Sequence, residues 1–121
     1  MNLTLLKCKI HRATVTDADL NYEGSISICP ELMARAGLVP FERVDIYDIN
    51  NGERFSTYVI EGRPRQIGLN GAAARLVHPG DLVIIAAYCV VDAAEASTHK
   101  PSIVLVDGEN RAKEGVVGNG L

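Results

Sequence analysis

Two runs of alternating character, Val44 to Ile49 and Arg54 to Ile60, flank the segment Asn50-Asn51-Gly52. Asn-Gly accepts positive φ at both central positions of a tight turn, so this arrangement predicts a β-hairpin and commits the middle of the chain to antiparallel sheet. The remainder has the same texture. In Leu3 to Val15, Cys8 and Ile10 alternate with Lys7, Lys9 and His11, and a period of two places Lys9 and His11 on one face. Ser25 to Cys29, Gln66 to Leu69, Leu82 to Tyr88 and Ser102 to Val106 predict further short strands, with a polar connection rich in Asp and Asn ahead of Ser25. Pro30 to Ala36 predicts a short helix with Pro in its first turn and Gly37 ending it. His78-Pro79-Gly80-Asp81 predicts a turn, Asp92 to Ser97 a helical turn, and Gly115 to Leu121 a mobile end. Many short strands with one or two small helices suggest a mainly β, compact barrel whose topology periodicity alone leaves open.

At 121 residues the chain reads as one domain with no internal repeat or linker. Aromatic residues make up 5% and Trp is absent, so the core must come from Val, Ile, Leu and Ala. A net charge of −3 without a Lys/Arg run argues against nucleic acid as a main partner. Met1 to Lys9 lacks the layout of a signal peptide. The longest apolar stretch, Leu82 to Val91, falls well short of the roughly 20 residues that span a bilayer. Cys8, Cys29 and Cys89 form no C-x-x-C pair and read as reduced thiols, so a cytoplasmic location away from membranes is expected. His11, His78 and His99 lack ligand spacing, and no metal is expected.

Chemistry concentrates at Asn21-Tyr22-Glu23-Gly24-Ser25. By itself Gly24-Ser25 reads as a turn entering a strand. If the fold strains that peptide bond, the Ser25 hydroxyl can attack the Gly24 carbonyl and move the acyl group from nitrogen to oxygen. Glycine tolerates the backbone angles such strain requires. Elimination and hydrolysis then leave a pyruvoyl group at a new N-terminus. Three further clusters accompany it: Lys9-Ile10-His11-Arg12, Asn51-Gly52-Glu53-Arg54-Phe55-Ser56-Thr57-Tyr58 and Asn70-Gly71-Ala72-Ala73-Ala74.

This ordered set resembles the aspartate 1-decarboxylase family, pyruvoyl enzymes that form β-alanine for pantothenate synthesis. The resemblance runs from about Leu5 to Val91, with a weaker match from Pro101 to Asn110. It implies a six-stranded double-psi β-barrel assembled as a homotetramer with active sites between subunits. It also implies self-cleavage into residues 1–24 and 25–121, the latter ending in a flexible tail from about 111. The cofactor would be the pyruvoyl group derived from Ser25, with neither PLP nor metal.

Decarboxylating an α-amino acid leaves two electrons on Cα, and a keto group condensed with the substrate amine disperses them. The resemblance assigns Ser25 that role and makes Tyr58 the proton donor, a task suited to a phenol, which is protonated at neutral pH. It implicates Thr57 in stabilising the oxyanion at Gly24 during processing. Arg54 fits a bidentate clamp on a substrate carboxylate. Lys9 and His11 are implied at the substrate site, Asn70 beside the pyruvoyl region, and Gly71, Ala72 and Ala73 in substrate binding. Tyr22 and Glu23 precede the bond and are expected to shape it.

On a regular strand Arg54, Ser56 and Tyr58 share one face and Thr57 takes the other. Both faces serve one site only if a bulge reorients the strand or two subunits share the work. Tyr47 stands where familiar members carry Trp, implying a pocket wall with a changed hydrogen-bonding edge. Two other readings compete with decarboxylation of L-aspartate: a non-catalytic barrel binding module, and a pyruvoyl decarboxylase for another acidic amino acid.

Overall fold

A computed structural model describes residues 1–113 of the chain. Eight strands form in sequence: β1 (Asn2–Thr14), β2 (Asp17–Asp19), β3 (Ser25–Ile28), β4 (Arg43–Asp48), β5 (Arg54–Glu61), β6 (Ile67–Asn70), β7 (Leu82–Asp92) and β8 (Ser102–Leu105). Helix α1 (Pro30–Ala36) follows β3, and two 3₁₀ turns, Gly71–Leu76 and Ala93–Thr98, flank β7. The expected mainly β character holds. The expected end from Gly115 to Leu121 lies outside the described residues. Of the expected tail from about 111, Arg111 to Lys113 fold back on the chain: the Lys113 N–H donates to Leu105 O at 2.8 Å, and Ala112 bridges to Val106.

All eight strands share one sheet in the order β2-β6-β3-β5-β4-β7-β1-β8. That order is open, yet β1 and β2 are halves of a single run broken only at Val15 and Thr16. Pairing of β1 with β7 and of β2 with β6 therefore ties together the two ends of the intervening order. Counted this way, six members surround the core: the β1/β2 run, β6, β3, β5, β4 and β7. The expected count of six corresponds to these six members, and eight strands are named for two reasons. The first run is split, and β8 adds in parallel to the outer edge of β1.

Asn110 pins the place where the run divides. Its Oδ1 accepts from the Thr14 N–H at 2.7 Å, and its Nδ2 donates to the carbonyls of Thr14 and Arg65 at 2.8 and 3.0 Å.

The core is aliphatic, as composition implies. Ile10, Ile26, Ile28, Ile46, Ile67, Leu69 and Ile85 are wholly buried, and each contributes about 1.5–3 kcal/mol from leaving water. Phe55 packs on its margin. Helix α1 buries Leu32, Met33 and Ala36, begins with Pro30 and ends at Gly37, whose φ of 75° is the left-handed cap that glycine adopts without a steric cost.

The hairpin between β4 and β5 forms, but with a wider turn than Asn-Gly suggests. Gly52 is left-handed (φ 79°) and Asn51 is not. The Asp48 carboxylate accepts from the N–H groups of Asn50 and Asn51 at 2.8 and 3.2 Å, while the Gly52 N–H reaches Asp48 O at 2.9 Å. Capping by Asp48 thus favours a longer loop with one left-handed residue over a two-residue turn with two. Among the described residues no helix is long and apolar enough to cross a membrane.

Candidate active site

Ser25 opens β3, where the chain enters the core, and is 1% exposed. Antiparallel pairing of β3 with β6 sets it opposite Asn70. The Asn70 amide donates to Ser25 Oγ at 2.9 Å and to Ser27 Oγ at 3.0 Å. Ser25 Oγ in turn donates to the Glu23 carbonyl at 3.2 Å. The hydroxyl is therefore held from both sides, and the side chain that holds it is itself fixed by Ser27.

Gly71, next after Asn70, has φ of 65°. A Cβ there would stand 2.7 Å from both Cα and N of Gly24 and 3.0 Å from Tyr22 O. This contact presses the start of the 3₁₀ turn against the Gly24 backbone and requires glycine at 71. Gly24 itself departs from the expectation of unusual backbone angles. Its φ is outside the left-handed region, and a Cβ on it would meet nothing within 4 Å.

A cavity of about 370 Å³ lies beside this contact, lined by Gly24, Ser56, Thr57, Tyr58, Ala72 and Ala73, with Phe55 and Leu76 as apolar walls. Thr57 pairs across the sheet with Val44, whose side chain is in the core, so its hydroxyl belongs to the inner face.

The remaining sequence-predicted residues form a second set on the opposite side of the sheet. Cys8, Ile10, Val44, Ile46, Ile85 and Ala87 turn inward and are buried. Lys9, Ala86, Asp45 and Ser56 form one cross-strand row on the other face, flanked by Tyr47 paired with Arg54 and by Arg43 paired with Tyr58. Ser56 and Tyr58 stand in both sets, since both also line the cavity, and the Tyr58 ring lies 6.3 Å from that of Phe41. The Arg54 guanidinium carbon lies 4.2 Å from the centre of the Tyr47 ring. The Tyr47 and Tyr88 hydroxyls are 2.8 Å apart.

Burial pushes the Tyr47 phenol up to about 12, aided by the bond to Tyr88 and the Asp45 charge and opposed by Arg54. His11 follows Lys9 just before β1 bulges at Arg12 (φ 67°). Its Nδ1 is buried without a partner among the described residues. Burial, then the charges of Lys9 and Arg12, lower its pKa below 6.5, so the imidazole is neutral at pH 7 and the charge available for an anion here is that of Lys9.

The structure thus brings Gly24, Ser25, Asn70, Gly71, Ala72, Ala73 and Thr57 together on one side, and Lys9, Tyr47 and Arg54 on the other. Among the described residues no hydrogen bond, ion pair or ring contact joins the two sets. No bulge bridges them either: β5 pairs with β4 in unbroken register from Arg54 to Tyr58.

Two contributors were not foreseen from the sequence. Ser27 had a signal, since a hydroxyl two residues after Ser25 must share its strand face. Tyr88 had none, because its meeting with Tyr47 depends on the register between β4 and β7.

Fold and pocket define a small β-barrel protein built around a buried serine, amide-held at the mouth of a strand. Comparison with known proteins takes the class further: the family model described as aspartate decarboxylase matches residues 1–113. Proteins named aspartate 1-decarboxylase are similar throughout. That of Bdellovibrio bacteriovorus is 60% identical over 94% of this chain and 92% of its own. That of Syntrophus aciditrophicus is 63% identical over 93% and 99%. That of Campylobacter hominis is 58% identical over 94% and 100%. The chain belongs to the aspartate decarboxylase family.

Proposed function

We propose that this chain cleaves itself between Gly24 and Ser25 and then decarboxylates L-aspartate to β-alanine and carbon dioxide, as a cytoplasmic homotetramer serving pantothenate synthesis. The observation that carries the reading is the buried Ser25 hydroxyl, held between Asn70 and Glu23 beside a cavity that Gly24, Thr57, Tyr58, Ala72 and Ala73 share. A pyruvoyl group fits this environment: residue 25 needs no room for a bound cofactor, and the Asn70 amide is a donor suited to a carbonyl oxygen.

In processing, Ser25 Oγ attacks the Gly24 carbonyl carbon and displaces the Ser25 nitrogen, with Asn70 fixing the oxygen and the Thr57 hydroxyl, on the same cavity, available to the oxyanion. The β-elimination that follows frees the Gly24 carboxylate, and hydrolysis of the remaining dehydroalanine releases ammonia. The pyruvoyl group would supply an electron sink for the pair left on Cα when carbon dioxide departs. The chain's own side chains do the rest. Arg54 receives a substrate carboxylate on its planar fork, Lys9 adds positive charge, and the Tyr58 phenol returns a proton to Cα. Because Arg54 and Lys9 lie across the sheet from Ser25, a neighbouring subunit brings them to it, which supports the tetramer with shared sites.

Intact-mass measurement tests the reading. The active protein should yield residues 1–24 and a chain beginning at position 25 with a blocked terminus, and Ser25→Ala should give an unbroken chain without β-alanine formation. A fully active, full-length polypeptide, or substantial turnover by Ser25→Ala, would overturn it.

A further inference from the structure

On the outer face of the sheet, Arg54, Tyr47 and Tyr88 make a continuous line across β5, β4 and β7. Tyr47 lies opposite Arg54 on one side and Ile84 on the other, while Tyr88 is four residues further along β7 on the same face. The two phenol rings lean toward each other over the row that contains Ala86, where a methyl group leaves them room to meet at 2.8 Å. Arg54 is exposed, and among the described residues its side chain makes no hydrogen bond and no ion pair. Its recorded contact is with the face of Tyr47, 4.2 Å away.

An exposed Arg has many rotamers, and ordering it on a ligand costs entropy. Stacking on an aromatic ring reduces that cost while leaving the N–H fork free. The stack restrains Arg54 only if Tyr47 is itself held, and the hydroxyl of Tyr88 is what holds it.

We propose that Tyr88 is a positioning residue for substrate: through Tyr47 it fixes the guanidinium plane of Arg54 for capture of a carboxylate. The inference rests on the reading of Arg54 as a carboxylate clamp and extends it to a residue that touches no substrate. The Tyr47 phenol stays neutral up to about 12, so the pair remains hydrogen-bonded at every pH at which the family's chemistry is practical. Either hydroxyl can donate in this pair, and the restraint on the Tyr47 ring is the same in both senses.

The test uses Tyr88→Phe, Tyr47→Phe and the double variant in the full chain, read by KM and kcat for aspartate, by Kd for succinate as a non-reacting dicarboxylate, and by intact mass. Tyr88→Phe keeps the ring and removes the bond. It should raise KM and succinate Kd about three- to tenfold, the effect of one hydrogen bond, with kcat within about twofold and cleavage complete. The double variant should be no worse than the weaker single, because both remove the same bond. Equal succinate affinity in wild type and Tyr88→Phe, additive losses, or a wild type that fails to bind succinate would overturn the positioning role. A wild type that binds succinate but does not decarboxylate aspartate would instead overturn the proposed reaction. The positioning role would then be judged on succinate affinity alone.

Discussion

Asn70 has two amide hydrogens, and both are used on one neighbouring strand, for Ser25 and for Ser27. A flexible amide is thereby reduced to one orientation, with its partner hydroxyl only 1% exposed. His11 presents the opposite case, a ring nitrogen buried with nothing among the described residues to bond. Its pKa is depressed by burial and by Lys9 and Arg12, so the unfolded chain takes up the proton first as pH falls through 6.5. The associated stability is fully present above 6.5 and is lost as pH drops toward the lowered folded value. His11→Asn should therefore show a shallower fall in Tm than the parent between about pH 7 and about pH 5, measured by calorimetry. Parallel curves would show that the ring has the same proton affinity in the folded and unfolded chains.

The 3₁₀ turn Gly71–Leu76 is gripped at both ends. Gly71 abuts Gly24, and at the other end the Asn51 side chain donates to Leu76 O at 2.9 Å. A methyl at 71 would strain a positive φ and collide with the cleavage segment. Gly71→Ala should lower stability by about 1–3 kcal/mol and slow the appearance of the 1–24 fragment, followed by Tm and by a mass time course. Wild-type cleavage kinetics would show that this contact does not shape the bond.

The elements differ in how legible they were. Alternation and the Asn-Gly signal revealed β4 and β5, and Pro30 and Gly37 bracketed α1, because each is a local preference that the tertiary structure respects. Strand β2 was invisible, since Asp-Ala-Asp favours no strand. It pairs because the Gln66 amide holds Asp17 at 3.1 and 3.3 Å and Thr16 bonds the Ile67 backbone. Ser25, Asn70 and Gly71 were named from motifs, yet their mutual contact follows from the β3–β6 register, which motifs do not encode.

Across the whole molecule, the unbroken register of β5 separates Arg54 from Thr57 by the thickness of the sheet. On the proposed reading, a site that uses Arg54 and Ser25 together draws on two chains. Neither Ser25→Ala nor Arg54→Ala should be active alone. Unfolding and reassembling them together should restore turnover at about a quarter of the sites in a random equal mixture. An inactive mixture of well-assembled oligomers would place both residues in one chain.

The β1/β2 run is hydrogen-bonded to β7, β8 and β6, and it ends just before the proposed cut. Under the proposed cleavage, residues 1–24 would stay hydrogen-bonded into the sheet, and the native molecule would hold together as two polypeptides. Denaturation would change that: each uncleaved subunit would refold by a unimolecular search, while a cleaved one would have to find its lost segment by diffusion. Maturation would thus add a concentration-dependent step to the refolding of each subunit, before any assembly of subunits.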